Sequence, residues 1–288
     1  MKDTLTRGMV LNNDVRVFCC RTTGLVQDAV NRHGLWPTSA AALGRVLSVG
    51  CMLGSMLKTD KEKIEIQIDG QGKVGQIVVD AYNGGFVRGY VQNGQVYQVR
   101  EEDHKLDVGG CVGTDGFLRV IKDMGMKAPF VSEVDLQTGE IGDDFAYYFM
   151  TSEQTPSAVS VGVLVDTDLS IKSAGGLIFQ MMPSASEESI RIIEDIVGNI
   201  KPISQLLLEY EEPKDIIDAL FDDYEELSNT ELAFRCECSR EKFENVLKTL
   251  PHDDLQTMID EDHGCEVKCI FCGEKYEFSE EELKSYIN

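Results

Sequence analysis

The sequence predicts an α+β chain in three parts: an N-terminal domain with a largely antiparallel sheet and helices (1–182), a helical linker (183–230) and a small C-terminal four-cysteine module (231–288). Three observations lead there. From Lys63 onward, apolar and polar residues alternate between glycine turns, as the half-buried strands of a meander do. Near residue 183 the apolar spacing lengthens to that of an amphipathic helix. Close to the C-terminus, four cysteines stand in two tight pairs.

Residues 14–20 are rich in valine and end on Cys19 and Cys20; they read as a strand. Neighbours on a strand face opposite ways, so at most one of these thiols joins any one face, and both read as buried. Thr23–His33 reads as a helix stopped by Gly34, and Pro37 suits the first turn of the next helix. That helix carries Ala40-Ala41-Ala42, Gly44, Gly50 and Gly54, small positions where another element packs closely, and its Met52 and Met56 read as core. Ile64, Ile66 and Ile68 alternate with Glu65, Gln67 and Asp69. Residues 74–82, 86–92 and 96–99 follow as strands, with turns at Asn83-Gly84-Gly85 and Asn93-Gly94. Gly70-Gln71-Gly72 lacks the lysine and the helix of a phosphate loop and reads as a turn. Residues 108–116 read as a glycine-rich link, 117–122 and 130–134 as strands, and 143–154 as a helix ending before Pro156. Residues 158–166 and 177–182 read as buried strands, with a bend or bulge at Ala174-Gly175-Gly176 between them.

Ser184-Ala185-Ser186-Glu187 is a capping-box pattern that opens a helix with Ile190, Ile193, Ile196, Val197 and Ile200 as its stripe. Pro202 and Pro213 start further helices. Residues 209–226 hold nine acidic residues and one lysine, and like charges three and four apart weaken a helix. Ile216, Ile217, Leu220 and Phe221 still form an apolar face, so the linker reads as helical but of marginal stability. In the last module, residues 231–236 read as a strand, 240–250 and 253–259 as helices, 267–269 and 275–278 as strands, and Ser279 caps a final helix.

The cysteine pairs are Cys236-Glu237-Cys238 and Cys269-Ile270-Phe271-Cys272, followed by Gly273. Two such pairs in one short module point to a tetrahedral four-thiolate zinc site, and a module of under about sixty residues needs a staple of this kind. Gly273 suits the sharp bend after the last ligand. The single residue between Cys236 and Cys238 departs from the usual ligand spacing of two to four residues. Such neighbours can also meet as a strained, reversible disulfide, so the four residues suit a metal when reduced and local disulfides when oxidised. His263 lies near Cys269, but four thiolates already close the shell. None of His33, His104, His252 and His263 sits in a nucleophile or zincin motif, so no enzyme activity is expected.

The cysteine motif, together with the block Tyr148-Phe149-Met150-Thr151-Ser152-Glu153-Gln154-Thr155-Pro156-Ser157, resembles the redox-regulated holdase chaperone family of bacteria, the 33-kilodalton heat-shock protein family. The resemblance spans essentially the whole chain. It implies an ATP-independent chaperone that binds unfolded or misfolded client proteins under oxidative and heat stress. It implies one Zn2+ per chain held by Cys236, Cys238, Cys269 and Cys272 in the reduced form. In the oxidised form it implies disulfides Cys236–Cys238 and Cys269–Cys272, loss of zinc and unfolding of the switch module. Apolar patches uncovered that way favour self-association, so a homodimer is expected when oxidised. Cys265 departs from the family's ligand set and can intercept Cys269 or Cys272. The competing reading is a non-catalytic interaction or regulatory protein whose zinc is purely structural.

Charge and cysteine usage narrow the partners. The net charge is −23, and residues 201–288 alone carry 24 acidic against 9 basic residues. Such a chain repels phosphate backbones, which argues against nucleic acid. There is no run of about eighteen apolar residues and no basic start before an apolar stretch, so no membrane span or signal peptide is expected. Nine cysteines without a secreted framework suit a reducing cytoplasm.

Overall fold

The computed structural model describes residues 2–287. The chain divides into two compact units, one up to Arg235 and one from Cys236. The first begins with strands β1 (Thr4–Val10) and β2 (Val15–Arg21), then helices α1 (Thr23–His33) and α2 (Pro37–Gly54). Strands β3 (Lys63–Asp69), β4 (Ile77–Tyr82) and β5 (Phe86–Val91) follow, then the short α3 (Val108–Val112), β6 (Phe117–Asp123), β7 (Phe130–Asp135), α4 (Gly142–Thr151), β8 (Ser157–Val165) and β9 (Ile171–Met181). Helices α5 (Glu187–Asn199), α6 (Ile203–Glu209) and α7 (Pro213–Leu220) lead to β10 (Glu225–Glu231) and β11 (Ala233–Phe234). One sheet has the order β10-β1-β2-β9-β8, the other β11-β5-β4-β3-β6-β7, and every pairing is antiparallel except β11 with β5. The expected α+β architecture with antiparallel sheets is therefore what the chain adopts.

Helix α2 touches β2, β8 and β9 of one sheet and β3, β4 and β5 of the other. Every residue of it except Arg45 is buried, as a helix with apolar and small residues all round requires. The glycines make this close approach possible: a Cβ on Gly50 would stand 2.9 Å from Val79 Cγ1. Helix α1 ends where Gly34 enters the left-handed region at φ 60°, as the sequence indicates.

The other face of the five-stranded sheet is covered by the linker. Val15, Val17, Cys19, Leu177 and Phe179 of the sheet form one apolar cluster with Ile193 of α5, Ile203, Leu206 and Leu207 of α6, Ile216 and Ile217 of α7, and Phe221. Cys20 points the opposite way, its Sγ donating to the Ser48 carbonyl of α2, so the two neighbouring thiols do serve opposite faces. Polar ties hold the cover in place. Asp14 Oδ2 accepts from Ser186 N at 2.9 Å, Ser186 Oγ at 2.9 Å and Ser189 Oγ at 2.7 Å at the start of α5, bonds that hold its carboxyl below the ordinary range. The buried Arg21 donates from Nη2 to the carbonyls of Tyr210 and Glu211 at the end of α6. Asp223 accepts from Leu11 N and Asn12 N.

Several local expectations are corrected. Strand β1 is not evident in the sequence because Arg7 and Gly8 break its alternation. Gly8 is required there: a Cβ would lie 2.2 Å from the Glu225 carbonyl oxygen of the neighbouring strand. Residues 96–99 make only an isolated bridge from Val99 to Leu106. The link at 108–112 is a helical turn capped by Asp107, whose side chain accepts from Gly110 N. Gly175 and Gly176 lie within the unbroken β9 rather than in a bulge, because Cys20 and Met52 leave no room for side chains. The end of the linker, 225–230, is not helical: with Glu231 it pairs antiparallel with β1 as β10, and residues 231–235, expected in the C-terminal module, belong to the first unit.

The docked linker predicts a graded thiol reactivity. Ile217 is fully buried, and Ile217→Ala should cost about 2–5 kcal/mol, drawn from the contact of α7 with the sheet. Peptide-mapped alkylation should then show Cys19 labelling faster than Cys51, which sits on α2 beneath the other face. Equal acceleration of both would mean global unfolding and would contradict separable docking of the linker.

Candidate metal centre

The second unit is a short hairpin, β12 (Gly264–Lys268) with β13 (Lys275–Ser279), packed with helices α8 (Arg240–Leu247), α9 (His252–Asp262) and α10 (Glu280–Ile287). Its buried core is Leu247, Leu255, Ile259, Phe278 and Leu283, too small a set to hold some fifty residues without a staple.

The hairpin turn carries the second cysteine pair. Cys269 follows β12 directly, the chain turns through 270–272, and Gly273 takes φ 75°, the left-handed conformation expected for it. Cys269 N donates to the Glu274 carbonyl and Gly273 N to the Cys269 carbonyl, both at 2.8 Å. This turn aims the amides of Phe271 and Cys272 at the Cys269 sulfur, and that of Glu274 at the Cys272 sulfur. The first pair lies in the extended segment before α8. Ser239 caps that helix, accepting from Lys242 N, and Lys242 Nζ returns to the Glu237 carbonyl at 2.6 Å, fixing the loop between Cys236 and Cys238.

Folding brings the two pairs together. The four Sγ atoms all lie within 4.8 Å of one another. Cys236 Sγ is 3.8 Å from Cys269 Sγ, and Cys238 Sγ is 3.3 Å from Cys272 Sγ. Four sulfurs each about 2.3 Å from one zinc would stand roughly 3.8 Å apart in a tetrahedron, so the donor set fits that ion in both number and spacing. Cys269 and Cys272 are buried, while Cys236 and Cys238 are half-buried. Burial pushes the thiols of Cys269 and Cys272 up, and for Cys272 the neighbouring sulfurs add to the shift. Four clustered thiolates therefore need a cation beside them, which a divalent metal supplies.

His263 is not at this cluster. It ends α9 in the left-handed conformation, and its exposed ring pairs with Glu280 Oε2 at 3.1 Å. Cys265 packs against the apolar core of the unit. Tyr276, which the sequence does not single out, places its hydroxyl 3.3 Å from Cys238 Sγ. The block at 148–157 is explained by packing. Gln154 turns the chain at φ 54°, and Glu153 Oε1 accepts from Lys122 Nζ at 2.6 Å and from the buried Tyr148 hydroxyl at 2.5 Å.

Reduced protein should carry one zinc per chain, released stoichiometrically to a chromogenic chelator after thiol blocking. Cys272→Ser should lose it and loosen the unit, since structural zinc in small modules is worth about 10–16 kcal/mol. Cys265→Ser should keep it. Retention of full-affinity zinc by Cys272→Ser would overturn the ligand set.

Comparison with known proteins follows the same lines. The profile of the Hsp33 protein family matches residues 3–279. A 33 kDa chaperonin of Staphylococcus carnosus is 44% identical over 288 residues, covering 99% of this chain and 98% of its own. One from Bacillus cereus (strain G9842) is 45% identical over 289 residues, covering 100% of this chain and 99% of its own. The crystal structure of the 33 kDa chaperonin (heat shock protein 33 homolog) of Thermotoga maritima superposes with a TM-score of 0.93 at 37% identity, covering 100% of this chain and 98% of that one. The chain belongs to the Hsp33 family of chaperones.

Proposed function

We propose that this chain is a redox-regulated, ATP-independent holdase, held inactive by zinc on Cys236, Cys238, Cys269 and Cys272 and switched on by oxidation of those thiols. The observation that carries this reading is one cluster drawn from two segments: the Sγ atoms of Cys236, Cys238, Cys269 and Cys272 all lie within 4.8 Å of one another. A metal there ties together two segments separated by thirty residues. Oxidation to disulfides Cys236–Cys238 and Cys269–Cys272 would instead join near neighbours. Forming each disulfide takes two electrons from a thiolate pair; hydrogen peroxide accepts them and, with two protons from solvent, becomes two waters. A tie across some thirty residues restricts the unfolded chain by about 3–4 kcal/mol, and a local disulfide by under about 2 kcal/mol. Oxidation thus exchanges one long-range tie for two short ones and leaves no thiolate for the cation, so the small unit loses both its staple and its closure.

The consequence for client binding lies in the linker. Its chain runs on through β10 and β11 to the module at Cys236, and its apolar cluster on the five-stranded sheet is the surface that loosening would uncover. Ile190, Ile192 and Val197 on α5 and Leu208 on α6 are already exposed. We read the clients as unfolded or misfolded proteins, the oxidised form as a homodimer joined through uncovered apolar surface, and the compartment as the cytoplasm. No catalytic activity is assigned. Among the described residues no helix is long and apolar enough to cross a membrane, and the charge of −23 disfavours nucleic acid.

The test is oxidation with peroxide at elevated temperature, following zinc release, mapping disulfides by mass spectrometry and scoring light scattering of a denatured client. Suppressed scattering should track the two local disulfides and reverse slowly with reductant. Equal protection by fully reduced, zinc-loaded protein would sink the switch and leave a constitutive chaperone. No protection in either state would leave a purely structural zinc.

A further inference from the structure

The Tyr276 hydroxyl stands 3.3 Å from Cys238 Sγ, within hydrogen-bonding reach of the sulfur. Its place is fixed from two sides. In β13 Tyr276 pairs with Val267 and shares its face with Phe278, two residues on, which is buried in the core of the unit. The Tyr276 ring lies 5.2 Å from that of Phe243, tilted by 42°. Phe243 belongs to α8, the helix whose Lys242 holds the Glu237 carbonyl between Cys236 and Cys238. One helix therefore positions both the tyrosine and the loop that carries the sulfur.

The sulfurs of the cluster differ in who serves them. Those of Cys269 and Cys272 lie buried, and the amides aimed at them from Phe271, Cys272 and Glu274 are main-chain donors set by the hairpin turn. Cys238 is half-buried, so a small oxidant reaches it, and the Tyr276 donor is a side chain. A thiolate has no proton to give, so in the metal-holding state the hydroxyl donates and the sulfur accepts. A bond of this kind spreads the charge of the sulfur and weakens it as a nucleophile, as outer hydrogen bonds around metal ligands do.

We propose that the Tyr276 hydroxyl restrains the Cys238 thiolate and so sets how fast an oxidant opens the four-cysteine site. The inference rests on the redox reading of that site. In the reaction the Cys238 sulfur attacks hydrogen peroxide, the O–O bond breaks, and a sulfenic acid and a hydroxide ion result. The Cys236 thiolate then displaces hydroxide from that sulfur and closes the disulfide. The first step draws electron density out of the sulfur, so the bond from Tyr276 is stronger in the starting thiolate than in the transition state and slows the attack. Without the hydroxyl the Cys238 sulfur should react about fivefold faster.

The test is the rate at which iodoacetamide alkylates each cysteine of the reduced, zinc-loaded full chain, read by peptide mapping at neutral pH. Tyr276→Phe keeps the ring against Phe243 and removes only the hydroxyl, and it should speed labelling of Cys238 by about fivefold. Cys265, on the same hairpin, should label at an unchanged rate. Acceleration of Cys265 in step with Cys238 would mean a loosened unit and would overturn the proposal. Replacing Tyr276 by 3-fluorotyrosine, a stronger donor of nearly the same size, should slow Cys238 below its natural rate. A merely structural tyrosine would not produce that effect, which decides the matter even where Tyr276→Phe folds poorly. With peroxide, zinc release to a chromogenic chelator and the Cys236–Cys238 disulfide should both come sooner in Tyr276→Phe. Equal Cys238 rates in all three proteins would overturn the proposal and leave the switch standing. Zinc retained by the peroxide-treated natural chain would count against the switch alone, since alkylation needs no oxidant.

Discussion

The apolar underside of the five-stranded sheet must be covered, and most else in the first unit follows from how it is covered. Val15, Val17, Cys19, Leu177 and Phe179 would present a broad patch to water, enough to attract other chains. The cover is three short helices, one of only seven residues and another of eight, with acids through and after them. Helices that short are marginal on their own, so their order comes from the sheet they lie on. The proposed switch draws on this mutual dependence: the helices persist while docked, and the patch stays hidden while they persist. The polar ties at Asp14, Arg21 and Asp223 fix where the cover sits, while the buried isoleucines and leucines supply the energy.

A second constraint of the same kind governs the C-terminal unit. Leu247, Leu255, Ile259, Phe278 and Leu283 are a small core, and the four sulfurs close it where apolar area cannot. Burial opposes ionisation of Cys269 and Cys272, so these sulfurs become thiolates only with a cation beside them. Two units that each lean on one extra contribution, a docked cover in one and, in the proposed reading, a metal in the other, suit the proposed switch.

Much of this was legible from local signals. Gly34 and Pro37 bound α1 and α2, the alternation of Ile64, Ile66 and Ile68 marks β3, and the serines before Glu187 mark the start of α5. The four cysteines that fold into one cluster are picked out by their spacing alone. What escaped depends on partners far along the chain. Residues 225–231 look like more acidic linker until β1, more than two hundred residues earlier, offers an edge. Strand β1 itself is legible only once Gly8 is seen to face Glu225. The contact of Tyr276 with Cys238, and the gathering of the four cysteines, exist only after the hairpin folds back. The block at 148–157 reads as a motif in sequence, but in three dimensions it is a half-buried Glu153 gathering Lys122 and Tyr148.

The most direct test of a cover released by thiol oxidation is amide hydrogen exchange across residues 187–231, compared in reduced zinc-loaded and peroxide-oxidised protein. Protection of α5, α6, α7 and β10 should fall on oxidation while that of β3, β4 and β6 is kept. Unchanged protection across 187–231, with both disulfides formed and zinc released, would contradict it.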